Sequence, residues 1–225
     1  MTFNPSVVFH RRGYPCRRIV LIALPLLGLL AFAGGCASHH KPPRPPSEYA
    51  ADLFNTSNPD RRREAIAYFQ DHPYGNSDVY VKSYILLATD PDPMVRAQSM
   101  RALGATGRYD VADTLSTGMK DANVQVRRDA VTGAKNVNNP TLIDPLIERV
   151  QTDADSQVRA AAVQALRPYT MPKVLHAYAD ALNDTDAAVA YFAYQNLQQV
   201  TGEMNLAMDQ RAWNDYLNRK YPAKT

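Results

Sequence analysis

One fourteen-residue string occurs four times in this 225-residue chain, and that repetition limits the fold more than any other feature. Residues 90–103 read DPDPMVRAQSMRAL, and residues 121–134, 153–166 and 184–197 read DANVQVRRDAVTGA, DADSQVRAAAVQAL and DTDAAVAYFAYQNL. The valine of each copy falls at Val95, Val126, Val158 and Val189, so the spacings are 31, 32 and 31 residues. A fixed period of this size marks a stacked array. Each unit is one supersecondary element that buries its apolar face only against its neighbours.

Two helical patterns make up each unit. In the second, helix B, four columns stay small or apolar: Val95/Val126/Val158/Val189, Ser99/Ala130/Ala162/Ala193, Met100/Val131/Val163/Tyr194 and Leu103/Ala134/Leu166/Leu197. Offsets of 0, 4, 5 and 8 form one stripe on a 3.6-residue helix. A fifth column, Ala102/Gly133/Ala165/Asn196, is small and suits close approach to a neighbouring helix. In the first pattern, helix A, the stripe is Tyr80/Val111/Ile143/Val174, Tyr84/Leu115/Ile147/Tyr178 and Leu87/Gly118/Val150/Ala181. Pro145 is expected to mark a kink or a later helix start. Between A and B, Asp or Asn recurs five and three residues before the valine, as in Asp90 and Asp92. Such residues cap the free N–H groups of a first helical turn. Arg96, Arg127 and Arg159 follow the valine, and stacking would bring them beside the Asp columns of adjacent units.

The pattern D-x-[DN]-x-x-V-R with its small and apolar columns resembles the HEAT repeat in a short bacterial form. That resemblance implies an all-α fold: an α-solenoid of about five HEAT-like helix pairs with a C-terminal capping helix. The same register extends backwards through Arg61, Ala65, Ile66 and Phe69, with residues 48–55 as the first helix A and 71–77 as a loop. A charged residue at the anchor position, Arg61, fits a terminal repeat that meets water. At the other end Gly202 reads as a helix stop. Residues 209–220 then form an amphipathic helix with Trp213, Tyr216 and Leu217 on one face. The expected organisation is 1–35 signal peptide, 36–47 tether, 48–202 repeat array and 203–225 capping helix and tail.

The N-terminal segment has its own signals. Arg11, Arg12, Arg17 and Arg18 precede a 14-residue apolar run, residues 19–32, which is shorter than the roughly 20 residues a membrane span takes. Ala33-Gly34-Gly35-Cys36 resembles the lipobox of bacterial lipoproteins. The resemblance implies cleavage before Cys36, acylation of its sulfur and amine by chains such as palmitate, and residence at the bacterial cell envelope. Ala37 resembles the pattern for transfer to an outer membrane, facing the periplasm. Several acyl chains anchor stably where one does not. Pro42, Pro43, Pro45 and Pro46 favour an extended spacer of about 3.1 Å per residue.

Charge and motif inventory exclude several functions. Removing residues 1–35 leaves 21 basic and 22 acidic residues, a balance that argues against a nucleic-acid partner. Cys36 is then the one remaining thiol, so no intrachain disulfide forms. The Asp-x-Asp pairs lack the Gly and distal Glu of a calcium loop, and His39-His40 lack a third ligand, so neither metal nor cofactor is expected. No Gly-rich phosphate loop, nucleophile elbow, CxxC or HExxH is present. The alternative to a binding scaffold is a structural envelope component without a dedicated ligand; some HEAT-like proteins resemble phycobilin lyases, which makes a bilin lyase-like enzyme the weaker third reading.

Binding therefore falls to the positions that the copies do not share. In a HEAT solenoid helix B lines the usual binding side. Its outward positions here are Gln98, Arg101, Arg128, Asp129, Thr132, Gln164, Tyr191, Phe192 and Gln195, a candidate face for an envelope protein partner. Tyr191 and Phe192 are bulky where other repeats carry Ala, Arg or Gln. They are expected to pack beneath the C-terminal helix; exposed, they would be interface anchors.

Overall fold

The computed structural model describes residues 44–222, and the signal peptide, Cys36 and the tether up to residue 43 lie outside that range. Among the described residues there are eleven α-helices and no strand. The A/B pairs are α1 (Pro46–Asp52) with α2 (Pro59–Gln70), and α3 (Asp78–Leu87) with α4 (Pro93–Thr106). Next come α5 (Ala112–Gly118) with α6 (Val124–Val137), and α7 (Ile143–Thr152) with α8 (Ser156–Ala165). The last pair is α9 (Pro172–Ala181) with α10 (Ala187–Thr201), and α11 (Gln210–Lys220) follows alone. The first helix starts two residues earlier than expected because Pro46 serves as a first-turn proline, whose missing N–H is harmless there. No helix among the described residues is long and apolar enough to cross a membrane.

Caps set the boundaries of the B helices. Asp92 accepts from the amides of Met94 and Val95, Asn123 from Gln125, Asp155 from Val158, and Asp186 from Ala188 and Val189. Asn58 does the same for Asp60 and Arg61 in the first repeat. Gly107, Asn138 and Gly202 end α4, α6 and α10 in the left-handed region, with φ of 63°, 48° and 73°. Pro145 does not mark a later start: α7 begins at Ile143 and carries the proline in its first turn.

The anchor valines and the +4 and +8 columns are buried in all four copies, and the small column is buried as well. Asn196, polar in that column, donates from Nδ2 to the carbonyl of Val163 at 3.0 Å. The A stripe is shifted in two places. Val81 and Leu146 are buried, while Tyr80 and Ile147 pack half-buried against the core. An A stripe bounded by two packed rows is wider than three columns, so a neighbouring position can take the deepest place.

A ladder of ion pairs joins successive repeats. Arg96 donates from Nε and Nη2 to Asp121 at 2.7 and 2.9 Å, and Arg127 grips Asp153 at 2.8 and 2.9 Å. Arg159 grips Asp184 at 2.7 Å through both nitrogens. In each rung Nη1 turns back to a loop carbonyl of its own repeat: Asp90, Asp121 and Asp153 at 2.8, 3.0 and 2.9 Å. Each guanidinium therefore ties one A–B loop to the next. A fourth rung, Arg62 to Asp90 at 2.8 Å, extends the ladder into the first repeat. The ladder ends where Ala190 replaces the arginine.

α11 packs on α9, where the next helix A would stand, and closes the core with Trp213 and Leu217, both fully buried. Trp213 donates from Nε1 to the carbonyl of Ala207 at 3.0 Å.

Candidate protein-binding face

The outward residues singled out from the sequence lie on α4, α6, α8 and α10, and the structure links several of them in one hydrogen-bonded row. Gln98 donates to Gln70 of α2 at 3.2 Å. Arg101 donates to Gln98 at 2.9 Å and to Asp129 at 2.8 Å. Asp129 also accepts from Gln125 at 2.9 Å, and Arg128 donates to the side-chain carbonyls of Gln125 and Gln157. The row thus crosses α2, α4, α6 and α8. Thr132 is exposed and turns its hydroxyl back to the carbonyl of Arg128 at 2.8 Å.

Sequence reasoning missed Gln70, Gln125 and Gln157. A signal existed for two of them, since Gln125 and Gln157 both stand one residue before the anchor valine. Long side chains already held by neighbours have lost part of the rotamer freedom that a partner would otherwise remove, which favours binding. The Arg101–Asp129 pair is open to water on the arginine side, so it contributes orientation more than stability.

Gln164 and Gln195 meet farther along, in an open groove of about 460 Å³ that also takes in Arg167, Gln198 and Gln199. Gln195 donates from Nε2 to the Tyr191 hydroxyl at 3.0 Å. Tyr191 is 52% exposed, whereas Phe192 is half-buried against the core. The aromatic that meets the C-terminal helix is instead Tyr194, edge-on to Trp213 with ring centroids 6.3 Å apart. Its hydroxyl donates to the carbonyl of Leu206 at 2.8 Å. The expectation that Tyr191 lies beneath that helix was wrong: Tyr194, in the +5 column, is the ring that reaches Trp213, while Tyr191, one turn earlier and at the outer edge of the stripe, stays exposed.

The ladder behind this face is charged and paired. The Asp121 and Asp184 carboxyls are held below the usual carboxylate range by hydrogen bonds from Arg96 and Arg159. For Asp153, burial acts to raise the value, but the Arg127 fork, the Asp155 amide and the nearby Arg149 together hold it low. An open cleft of about 430 Å³ beside the last rung is lined by Asp153, Arg159 and Asp184, which are already engaged with one another or with Arg127. Burial pushes the phenols of Tyr84 and Tyr178 well up, so both stay neutral.

His72 and His176 bond to a backbone carbonyl and to Asn214, at 2.8 and 3.4 Å, and neither reaches a serine hydroxyl or a carboxylate. Among the described residues no group of three or more His, Cys, Asp or Glu side chains is placed to hold a metal ion. What the face offers is amides, three arginines (Arg101, Arg128 and Arg167), the Asp129 carboxylate and one exposed tyrosine.

Residues 83–167 match the family model described as HEAT repeats. No curated protein matches the chain. Among solved structures the chain is similar to the complex of CpcE and CpcF of phycocyanin lyase from Nostoc sp. PCC7120, at 18% identity and TM-score 0.61, over 81% of this chain and 72% of that one. It is also similar to a designed armadillo repeat protein, at 14% identity and TM-score 0.51, over 80% of this chain and 93% of that one. Another designed armadillo repeat protein, in complex with the peptide (KR)4, matches at 14% identity and TM-score 0.51, over 77% and 98% of the two chains. At these identities the likeness is one of fold, and the fold is an α-solenoid of HEAT-like helix pairs.

Proposed function

We propose that this protein is a non-enzymatic, protein-binding scaffold, held at a bacterial envelope membrane through acylated Cys36, with the B-helix face as its docking surface. The observation that carries the reading is the row from Gln70 through Arg101 and Asp129 to Gln157, fixed across four repeats and open to solvent. A repeat solenoid supports it, because such arrays present one extended surface built from many units. The designed neighbour in complex with a peptide supports it in the same general way. At 18% identity the lyase neighbour supports the fold alone.

Photo-crosslinkers placed at Arg128 and Gln164 in cells test the face. The expected result is one protein captured from both positions and released by Arg101→Glu without loss of the fold. Retained function in face variants, with loss only on changing Cys36 or core residues, would favour a structural role without a dedicated ligand. Incorporation of labelled fatty acid tests the anchor separately, and Cys36→Ser should abolish it.

A further inference from the structure

Phe54 and Leu86 are each 59% exposed, and both line one open groove of about 310 Å³ between the first two repeats. Leu53, Leu87 and Pro91 add further hydrocarbon. The two charged residues there, Arg62 and Asp90, pair at 2.7 Å with both side chains 6% exposed, so the groove offers no free charge. Val79, 70% exposed, precedes Leu86 on α3 by about two helical turns. That spacing puts both on one side of the helix, about 10 Å apart. Exposed Lys82 stands between them.

The stacking of repeats does not call for this. In the column where α3 has Leu86, the later repeats have Thr117, Arg149 and Asp180. Single apolar residues at a surface are ordinary, but a group of them about one groove marks a contact site.

The course of the chain says what lies nearby. From Cys36 to Arg44, the first described residue, the backbone reaches no farther than about 29 Å, at about 3.6 Å per residue. Arg44 is fixed at the first repeat. It donates to Glu48 and Glu64 at 3.2 and 3.0 Å and to Asp52, close before Phe54 in the chain. An acylated Cys36 keeps a lipid surface within that reach, at an effective concentration that makes even a weak contact persist. A bilayer interface accepts apolar side chains, and a lysine among them can extend to the headgroups. Because α3 is an A helix, such a contact leaves the row on the B helices open to a partner.

We propose that Phe54, Val79 and Leu86 rest in the interfacial layer of the membrane that holds the anchor. This assignment rests on the reading of Cys36 as acylated.

Fluorescence of the mature lipidated protein in vesicles of phosphatidylethanolamine and phosphatidylglycerol tests it. An environment-sensitive dye is placed at Leu86→Cys or, as the control from the same column, at Thr117→Cys; acylation blocks the sulfur of Cys36. The expected result is a blue shift of the Leu86 dye on reconstitution and quenching of about twofold by brominated lipid, with the Thr117 dye unchanged. Phe54→Ser combined with Val79→Ser should remove about half of that quenching or more, with the melting temperature unchanged because both side chains are exposed. Equal responses at the two positions, or none at Leu86 in protein that floats with the vesicles, would overturn the proposal and leave the anchor standing. If Cys36 takes up no fatty acid, the anchor reading falls by itself. The chain from residue 37, held to nickel-chelating lipid by an N-terminal polyhistidine, then decides the face: quenching at Leu86 upholds it, and its absence overturns it. A shift that grows with protein concentration in the absence of vesicles would assign the face to a second copy of the chain and overturn it too.

Discussion

Gly104 of α4 stands directly over Gly133 of α6: a Cβ at position 104 would lie 2.2 Å from the Gly133 Cα and 3.2 Å from its carbonyl carbon. The obstacle is backbone, so no rotamer change relieves it. Overpacking of this kind costs about 1–3 kcal/mol, partly offset by about 1 kcal/mol from removing a glycine from a helix interior. Gly104→Ala should therefore be net destabilising. At Gly133 an added methyl would meet Gly104 at 3.0 Å and the flexible end of Leu115 at 3.1 Å. Gly133→Ala should cost less. Urea midpoints of the two variants decide the order, and the reverse order would mean that α4 and α6 slide apart freely.

The ladder predicts a second contrast. Arg127→Ala removes both bonds to Asp153, whose side chain is fully buried, and the bonds to the Asp121 and Ala122 carbonyls. The carboxylate keeps only Arg149 at 3.4 Å and the Asp155 amide at 3.0 Å, and losing the charged fork costs about 2–3 kcal/mol. Arg108 pairs with Asp78 and Asp110 at the surface, where the contribution is about 0–1 kcal/mol. A chemical-denaturation series in which the two alanine variants lose equal stability would refute the assignment of the ladder as the inter-repeat tie.

The same carboxylates set an acid limit. Asp121, Asp153 and Asp184 have folded values below the usual range. The unfolded chain therefore binds more protons than the folded one as the pH approaches the unfolded value of about 3.9. The stabilisation is fully present above that value and is lost as pH falls through the depressed folded values. Melting temperature should be flat from neutrality to about pH 5 and drop below about pH 4. Asp184→Asn should lower stability at neutral pH and make that drop shallower; an unchanged slope would place the acid sensitivity elsewhere.

Where one residue type serves one role in every copy, the sequence was readable. The capping Asp and Asn columns, the valine stripe and three rungs of the ladder followed from period alone. Arg62 escaped although it stands one residue after Arg61, in the arginine column of that register, because a charged residue fills the valine column there. Gly104 escaped because no other repeat has glycine there; its partner Gly133 was visible as part of a small column. The B-face positions were legible as outward, yet their linkage was not. The bonds of Gln125 to Arg128 and Asp129 follow i,i+3 and i,i+4 spacing on α6, but those of Gln98 to Gln70, Arg101 to Asp129 and Arg128 to Gln157 depend on side-chain reach across repeats, which helical spacing does not encode.

Trp213 is the single tryptophan of the chain and lies at the capping helix, so its fluorescence reports that end of the array. Its ring is fully buried and meets Tyr194 and Tyr216 edge-on at 6.3 and 5.7 Å. Trp213→Ala should cost about 3–5 kcal/mol, as for other buried large aromatics. Trp213→Phe keeps most of the apolar contact and loses the bond to Ala207, a cost of about 1 kcal/mol beyond the lost ring area. A terminal unit in a stacked array is held from one side only, so it opens before the interior repeats. In the unaltered protein the fluorescence transition should therefore fall at a lower urea concentration than the loss of helical circular dichroism. Coincident transitions would mean that α11 is locked to the array as one cooperative unit, and Trp213→Ala would then lower the urea midpoint of the whole helical signal.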